Sequence, residues 1–323
     1  MGRKYLARKV LHALATLVFV LAFNFFLFRV MPGDPIRLLA RGSATHMTPQ
    51  RIAQIEHEQG LDLALPQQFL VYSRNTLVGR FGTSFVTNRS VNDVIGRAIW
   101  PTVLLVGSAT IIATVFGLWA GIRGAWRRGS LFDTSSLFGS LVLYSAPEGW
   151  LGMILLILFV GTLHWFPAGQ MTSNIGETGV SYVLDVLYHL FLPCMTLVLG
   201  YIGEYHIIMR SSLIEMMGED FVTTARAKGV PDRLVRQRHA VPNALLPTLT
   251  LVFYSFGFIL GGSVIVEAVY SWPGLGLLTY RAIQDLDYNV IQTVFLLFSA
   301  AVIVFNLAAD VLYGYLDPRV QEA

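Results

Sequence analysis

Residues 134–176 read TSSLFGSLVLYSAPEGWLGMILLILFVGTLHWFPAGQMTSNIG, and Glu148 is the one Asp, Glu, Lys or Arg among these 43 positions. A helix rises about 1.5 Å per residue, so about 20 apolar residues cross the hydrocarbon layer of a bilayer. The stretch is therefore long enough for one span of about 134–160 followed by an apolar loop. It is also long enough for two short spans meeting at Pro147-Glu148-Gly149. The choice fixes on which side of the membrane everything downstream lies.

Five further stretches lack Asp, Glu, Lys and Arg altogether: 10–28, 98–122, 186–203, 239–266 and 288–309. Buried helices of a soluble protein would interleave charges with such runs. The composition agrees: charged residues make up 13% of the 323, against about 25% in soluble domains. The same numbers rule out disorder and argue against an ordinary soluble enzyme. With six spans and the N-terminus inside, the inner segments hold fourteen Lys and Arg, six of them between Arg210 and Arg238, while the short outer loops hold Arg281. An extra crossing near Glu148 would put the six-cation loop outside, against the positive-inside rule. The expectation is an all-α polytopic protein with spans at 10–30, 98–122, 134–160, 184–207, 244–266 and 289–312. Residues 1–9, 209–243 and 313–323 then lie inside, and 31–97 and 267–288 outside. The N-terminus resembles a signal peptide, but its apolar run is too long and Val30-Met31-Pro32-Gly33-Asp34 is no small-residue cleavage site.

The outer segment 31–97 reads as a small helical docking surface or a plain spacer. Thr48-Pro49 opens one helix, Gly60 closes it, a second helix begins at Pro66, and turns follow at 79–85. The inner segment 209–243 reads as two helices around a tight turn. The first runs from Ser212 to Lys228, Gly229 supplies a left-handed stop, Pro231 and Asp232 start the second, and Pro242 ends it. Such a hairpin is either an amphipathic anchor or an element that fills a socket on another protein.

Catalytic chemistry has no foothold in the sequence. None of the three lysines lies in a phosphate-binding loop, and no zinc, dithiol or serine-nucleophile motif occurs. Cys194, the single cysteine, excludes a disulfide framework. A net charge of +3 is too small to argue for nucleic acid. Polar groups inside spans include Asn24, Glu148, His189, Glu204, His206 and Asn306, and such groups face the protein interior or a water-filled path. Asn24, Glu148 and Asn306 are the candidates for that path. For Glu148, a carboxylate tied to backbone freed by Pro147 is the structural alternative. The turn Trp272-Pro273-Gly274, with Glu267 before it, is expected near the outer mouth, its Trp at the membrane interface, as a gate or docking point or as a simple tie between spans.

Asp220-Phe221-Val222-Thr223-Thr224-Ala225-Arg226-Ala227-Lys228-Gly229, then Arg238-His239-Ala240 and Asn243-Ala244-Leu245-Leu246-Pro247, resembles the cytoplasmic "EAA" loop of bacterial ABC importer permeases. The likeness is to the dipeptide/oligopeptide/nickel type, B subunit. It extends to Gly60-Leu61-Asp62, Gly82-Thr83-Ser84-Phe85, Ser263 to Glu267, Ser271 to Gly276, and the block from Asn306 to Arg319. The acidic residue that names the motif is missing, with Thr223 about where it would fall, and the distance from Gly229 to Leu246-Pro247 is long; both bear on subfamily rather than membership. The resemblance implies a type I importer in the bacterial inner membrane. A second homologous permease would complete the pore, two cytoplasmic ATPases would hold ATP and Mg, this chain would bind no cofactor, and an extracytoplasmic binding protein would deliver peptides. It makes Asp220, Ala225, Ala227, Gly229, Pro231, Arg233, Arg236, Arg238 and His239 the candidate ATPase-coupling residues.

Other readings are the same machinery carrying nickel or another small solute, a channel or secondary transporter acting alone, and a membrane-embedded enzyme. A self-sufficient carrier would show internal repeats, and an enzyme would show clustered acids or histidines; neither pattern is evident. Cysteines placed within 31–97 should react with an impermeant thiol reagent from outside, and those within 212–240 should not. Labelling at position 230 from outside would overturn the six-span arrangement.

Overall fold

A computed structural model describes residues 3–30, 50, 63–173, 178–261 and 263–316. The expected helix from Thr48-Pro49 to Gly60 and the block 317–319 lie outside these residues. The described residues are helical almost throughout, in order α1 (Arg3–Val30), α2 (Leu65–Leu77), α3 (Val91–Trp126), α4 (Leu131–Ser145), α5 (Glu148–Leu155) and α6 (Val180–Met217). Then come α7 (Asp220–Ala227), α8 (Asp232–Leu234), α9 (Val241–Phe258), α10 (Val264–Val269), α11 (Leu275–Gln284) and α12 (Tyr288–Leu316). Five helices among the described residues are long and apolar enough to cross a membrane, and the pair α4–α5 makes six if it counts as one bent span.

That pair settles the shape of the stretch around Glu148. The region 134–160, read as one span, bends by 102° between α4 and α5. The cause is local. The residue before a proline is pushed out of the helical region, and Ala146 is extended (φ −79°, ψ 130°). Pro147 is extended as well, and its carbonyl accepts the first hydrogen bonds of α5 from Trp150 and Leu151. Beyond Leu155 the chain widens into a π-helical stretch, Leu156–Thr162.

Two compact units divide the chain: residues 1–101, 260–264 and 274–323, and residues 102–259 and 265–273. In the first, α1 packs along α12. Lys9 and Asp310 join them at one end with a 3.0 Å ion pair. Toward the other end, Asn24 donates to the Tyr72 hydroxyl (3.2 Å) and to the Gln292 carbonyl (3.0 Å). Pro66 stands in the first turn of α2, as its fixed φ suits.

In the second unit, α3 lies against α6 with almost nothing between the backbones. A Cβ on Gly117 would come within 2.6 Å of Tyr205 Cβ, and one on Gly121 within 2.8 Å of Met209 Cβ. This Gly-x-x-x-Gly pair permits the close approach that helices in lipid use in place of a hydrophobic driving force. A Cβ on Gly203 of α6 would lie 2.5 Å from the Ser140 carbonyl of α4, so α4 seats equally closely. Asp133, 2% exposed, then locks that seat: Arg210 meets it with two hydrogen bonds, at 2.6 and 2.9 Å. The helix start that carries Asp133 is capped by Ser130, whose hydroxyl accepts from the Asp133 N–H at 3.2 Å.

Helix α6, with 38 residues, measures about 57 Å, well beyond the hydrocarbon layer of about 30 Å. The first hairpin helix, expected from Ser212 to Lys228, is therefore divided: Ser212–Met217 finish α6, Gly218 caps it, and α7 is separate. Nor does Pro242 end the second hairpin helix. Val235–Ala240 form π-helical turns that run straight on into α9, and Pro242 stands in its first turn. The arm thus continues from Asp232 to Phe258.

Glycine-to-alanine changes should separate seams from open faces. In a helix interior Ala is favoured over Gly by about 1 kcal/mol, so Gly96→Ala, with nothing within 4 Å of the added methyl, should leave the thermal midpoint of the detergent-purified chain unchanged or raise it. Gly121→Ala should lower it, because overpacking costs about 1–3 kcal/mol. Equal behaviour of the two would remove the seam.

Candidate coupling site

The turn between α7 and α8 is made by backbone. Gly229 N–H donates to the Arg226 carbonyl (2.9 Å) and Val230 N–H to the Ala225 carbonyl (3.2 Å). This double closure needs a left-handed residue after the helix, and Gly229 has φ +76°. Open space surrounds the position where its side chain would be.

The hairpin is seated from within. Val222, Ala225, Val235 and Ala240 are buried in one cluster with Met209 and Leu213 of α6, Ala125 of α3 and Ala244 of α9. Ser212 donates to the Ala244 carbonyl at 2.9 Å. Ala225 thus packs inside this chain; Ala227 is exposed. Trp126, at the end of α3, holds the turn from the side. Its indole N–H donates to Asp232 at 3.0 Å, and the guanidinium groups of Arg226 and Arg236 lie 5.6 and 5.8 Å from its ring. Arg226 also approaches Asp232 at 3.5 Å, in an exposed pair worth little by itself. His239 is half-buried, and its carbonyl accepts from Asn243 at 2.7 Å.

What the hairpin presents outward is Asp220, Phe221, Lys228, Pro231, Arg233 and Arg238. An exposed aromatic beside cations has the make-up of a protein contact. Sequence reasoning named Arg233, Arg236 and Arg238 as coupling candidates; Arg233 and Arg238 are exposed, and Arg236 is half-buried against Trp126. It missed Trp126, Phe221 and Arg226. Cation–ring spacing across 100 residues leaves no local signal, whereas Phe221, an apolar residue in the first turn of α7, was visible.

Two family models match the chain. One, the binding-protein-dependent transport system inner membrane component, covers residues 113–322, and its N-terminal companion covers residues 2–106. The chain belongs to this family. It is therefore a permease subunit of an ABC importer, a polytopic inner-membrane protein of the type I permease fold. A protein of Sinorhizobium fredii named "Probable peptide ABC transporter permease protein" is 35% identical over 318 residues, 98% of this chain and 99% of the relative. A glutathione transport system permease protein of Salmonella choleraesuis is 36% identical over 317 residues, 98% of each chain.

The three candidate path residues fall in both units of the permease. Asn24 and Asn306 belong to one unit and Glu148 to the other. Asn24 is buried and reaches Gln292 on α12. Asn306 is exposed on the same helix, fourteen residues and about 21 Å further along. Glu148 is half-buried against α6, where a Cβ on Gly200 would lie 3.5 Å from its Cγ.

The turn expected to place an aromatic at the membrane interface is built differently. Trp272 is fully buried, in a cluster with Val266, Tyr270 and Leu192. Its N–H donates to the Glu267 carbonyl at 2.8 Å. The Glu267 side chain is buried and accepts from Thr102 at 2.9 Å. Ser271, with φ +49°, turns the chain so that Trp272 points inward. Pro273 remains exposed, and Gly274 caps α11, a helix the reading of 267–288 as a loop did not foresee. Truncating a buried Trp costs about 3–5 kcal/mol. Trp272→Ala should therefore sharply reduce folded permease in the membrane, measured by fluorescence-detected size exclusion, while Pro273→Ala leaves it near wild type. Normal folding of Trp272→Ala would return this residue to a surface role.

Proposed function

We propose that this permease forms half of a translocation path for peptides, with a second homologous permease as the other half. ATP hydrolysis on two partner subunits is delivered through the hairpin around Gly229. On this reading the hairpin and both termini are cytoplasmic, residues 31–97 and 267–288 face the binding protein, and the chain binds no cofactor of its own. Peptides are favoured as substrate class because relatives matched over nearly their whole length carry peptide and glutathione in their names, and glutathione is a tripeptide.

The observation that carries the coupling role is mechanical. A motor outside the lipid moves helices within it only through a stiff connection. Here the second arm of the hairpin and the following apolar helix are one continuous stretch from Asp232 to Phe258. The first arm is pinned to the overhanging end of α6 by Val222 and Ala225. Arg233 and Arg238, exposed, supply charge complementarity to a partner cleft, which governs docking rate and register more than total affinity. Asp220, Pro231 and His239 shape the arms that present them.

Gly229→Val tests the role without disturbing the core. A β-branched residue in left-handed backbone costs on the order of 1–2 kcal/mol, and the open space around Gly229 adds no clash. The variant should insert and express near normally, yet lose co-purification with the ATPases or peptide-stimulated ATP turnover in the reconstituted complex. Normal association together with normal uptake would remove the hairpin from coupling. In the same assay, the purified permease alone should hydrolyse no ATP. Uptake of defined peptides, glutathione and Ni²⁺ by the complete transporter should respond to the peptides; response to Ni²⁺ alone would overturn the substrate assignment.

A further inference from the structure

A cleft of about 110 Å³ lies between α2, the turn after it, and the first turns of α12. Ordinary small-molecule pockets occupy roughly 300–1,000 Å³, so this one suits a single polar group. Its walls carry Tyr72, Asn75, Arg80, Asn289 and Gln292, and no carboxylate is among its lining residues. Among the described residues no carboxylate pairs with Arg80. A guanidinium beside amides and a phenol is chemistry for an anion, and the planar fork of Arg matches phosphate.

The surroundings say where that anion comes from. Tyr72 and Phe69 of α2 pack against Phe25 of α1, the first ring tilted and the second edge-on, with ring centres 5.5 and 5.3 Å away. Asn24 and Phe25 lie about 9 Å or less from the end of α1, and Gln292 about one turn from the start of α12. The cleft therefore opens at the level where both helices leave the hydrocarbon. The opposite side of α2 shows Leu70, Arg74, Leu77 and Val78, spaced i, i+4, i+7, i+8 on one face; the three apolar side chains are 67%, 78% and 60% exposed. An apolar face with one long cation is the pattern of a helix lying in the interface plane.

We infer that α2 is an interfacial helix and that the cleft holds the phosphate of an anionic phospholipid, with Arg80 as its principal ligand. Leu70, Leu77 and Val78 rest on the acyl chains beside it. The charge-assisted fork that draws a guanidinium to phosphate acts on a lipid head group as on any other phosphate. The inference needs only that α1 and α12 cross the bilayer, and not the coupling or the substrate proposed above.

The test is a lipid count on the assembled transporter. The wild-type complex, Arg80→Gln, Asn75→Leu and the control Arg74→Gln are purified, reconstituted in nanodiscs containing phosphatidylglycerol, and examined by native mass spectrometry after gentle delipidation. Wild type and Arg74→Gln should retain one more phosphatidylglycerol than Arg80→Gln and Asn75→Leu. Titration should give about tenfold weaker binding for Arg80→Gln, the effect of losing one charge-assisted contact. Inorganic phosphate in the buffer should not displace the lipid. Equal retention in all four proteins would overturn the proposal. So would phosphate binding without lipid, which would make the cleft a site for a soluble anion. Peptide-stimulated ATP turnover, measured in parallel, reports on the coupling reading separately.

Discussion

Everything that positions the hairpin depends on the approach of α3 to α6 at Gly117 and Gly121. Helices in lipid gain nothing from excluding water, so they must be held by dispersion contacts and by hydrogen bonds. Removing two side chains lets the backbones meet, with the Ile202 and His206 carbonyls of α6 facing α3 directly. That contact fixes where the overhanging end of α6 emerges. Ala125 of α3 and Met209 and Leu213 of α6 then form the floor on which Val222, Ala225, Val235 and Ala240 sit.

The other helices around α6 are held in register by polar pairs. Arg210 grips Asp133, Ser140 and His206 Nδ1 lie 2.7 Å apart, Tyr205 donates to Ser255 at 2.8 Å, and the Tyr270 hydroxyl reaches both Thr196 (3.0 Å) and the Gly152 carbonyl (3.1 Å). The first two tie α4 to α6, the third ties α9 to it, and Tyr270 links Thr196 of α6 to Gly152 of α5. Apolar surfaces slide over one another at little cost, whereas an unmade hydrogen bond at this depth leaves a buried group unsatisfied. Gly124 shows how tightly the cluster is drawn: a methyl there would lie 3.0 Å from Asp133 Oδ1 and 3.6 Å from His206 Nε2.

The spans were legible because length and hydropathy are properties of a single segment, and so were the Gly229 stop and the start of α2 at Pro66. The sequence offers a turn at Pro147-Glu148-Gly149 only as the alternative to one span of 134–160, since the proline fixes only φ and the conformation of Ala146. Pro242 misled because a proline at the end of one arm and a proline in the first turn of the next helix look alike in sequence. Trp272 misled because an interfacial and a core tryptophan follow the same turn residues; Ser271 in left-handed space decides which way it faces. Trp126 was invisible because its partners Arg226, Asp232 and Arg236 lie 100 or more residues away. The pattern is general: what one segment dictates can be read, and what two segments decide together cannot.

Stiffness along the hairpin's second arm is uneven, and that bears on how a push would travel. From Asp232 the arm enters π-helical turns at Val235–Ala240 before it becomes the regular helix α9. A π stretch carries wider, less well packed turns and recurs at functional sites. Left alone, it would be the place where the arm yields. It is instead clamped on both sides: Val235 and Ala240 are fully buried in the hairpin cluster, and Arg236 lies over Trp126. The weak turns thus move only together with the ends of α3 and α6. On the proposed coupling role, a push on the exposed face at Arg233 and Arg238 would act on the ends of α3 and α6 as well as on α9, because the clamped turns join all three.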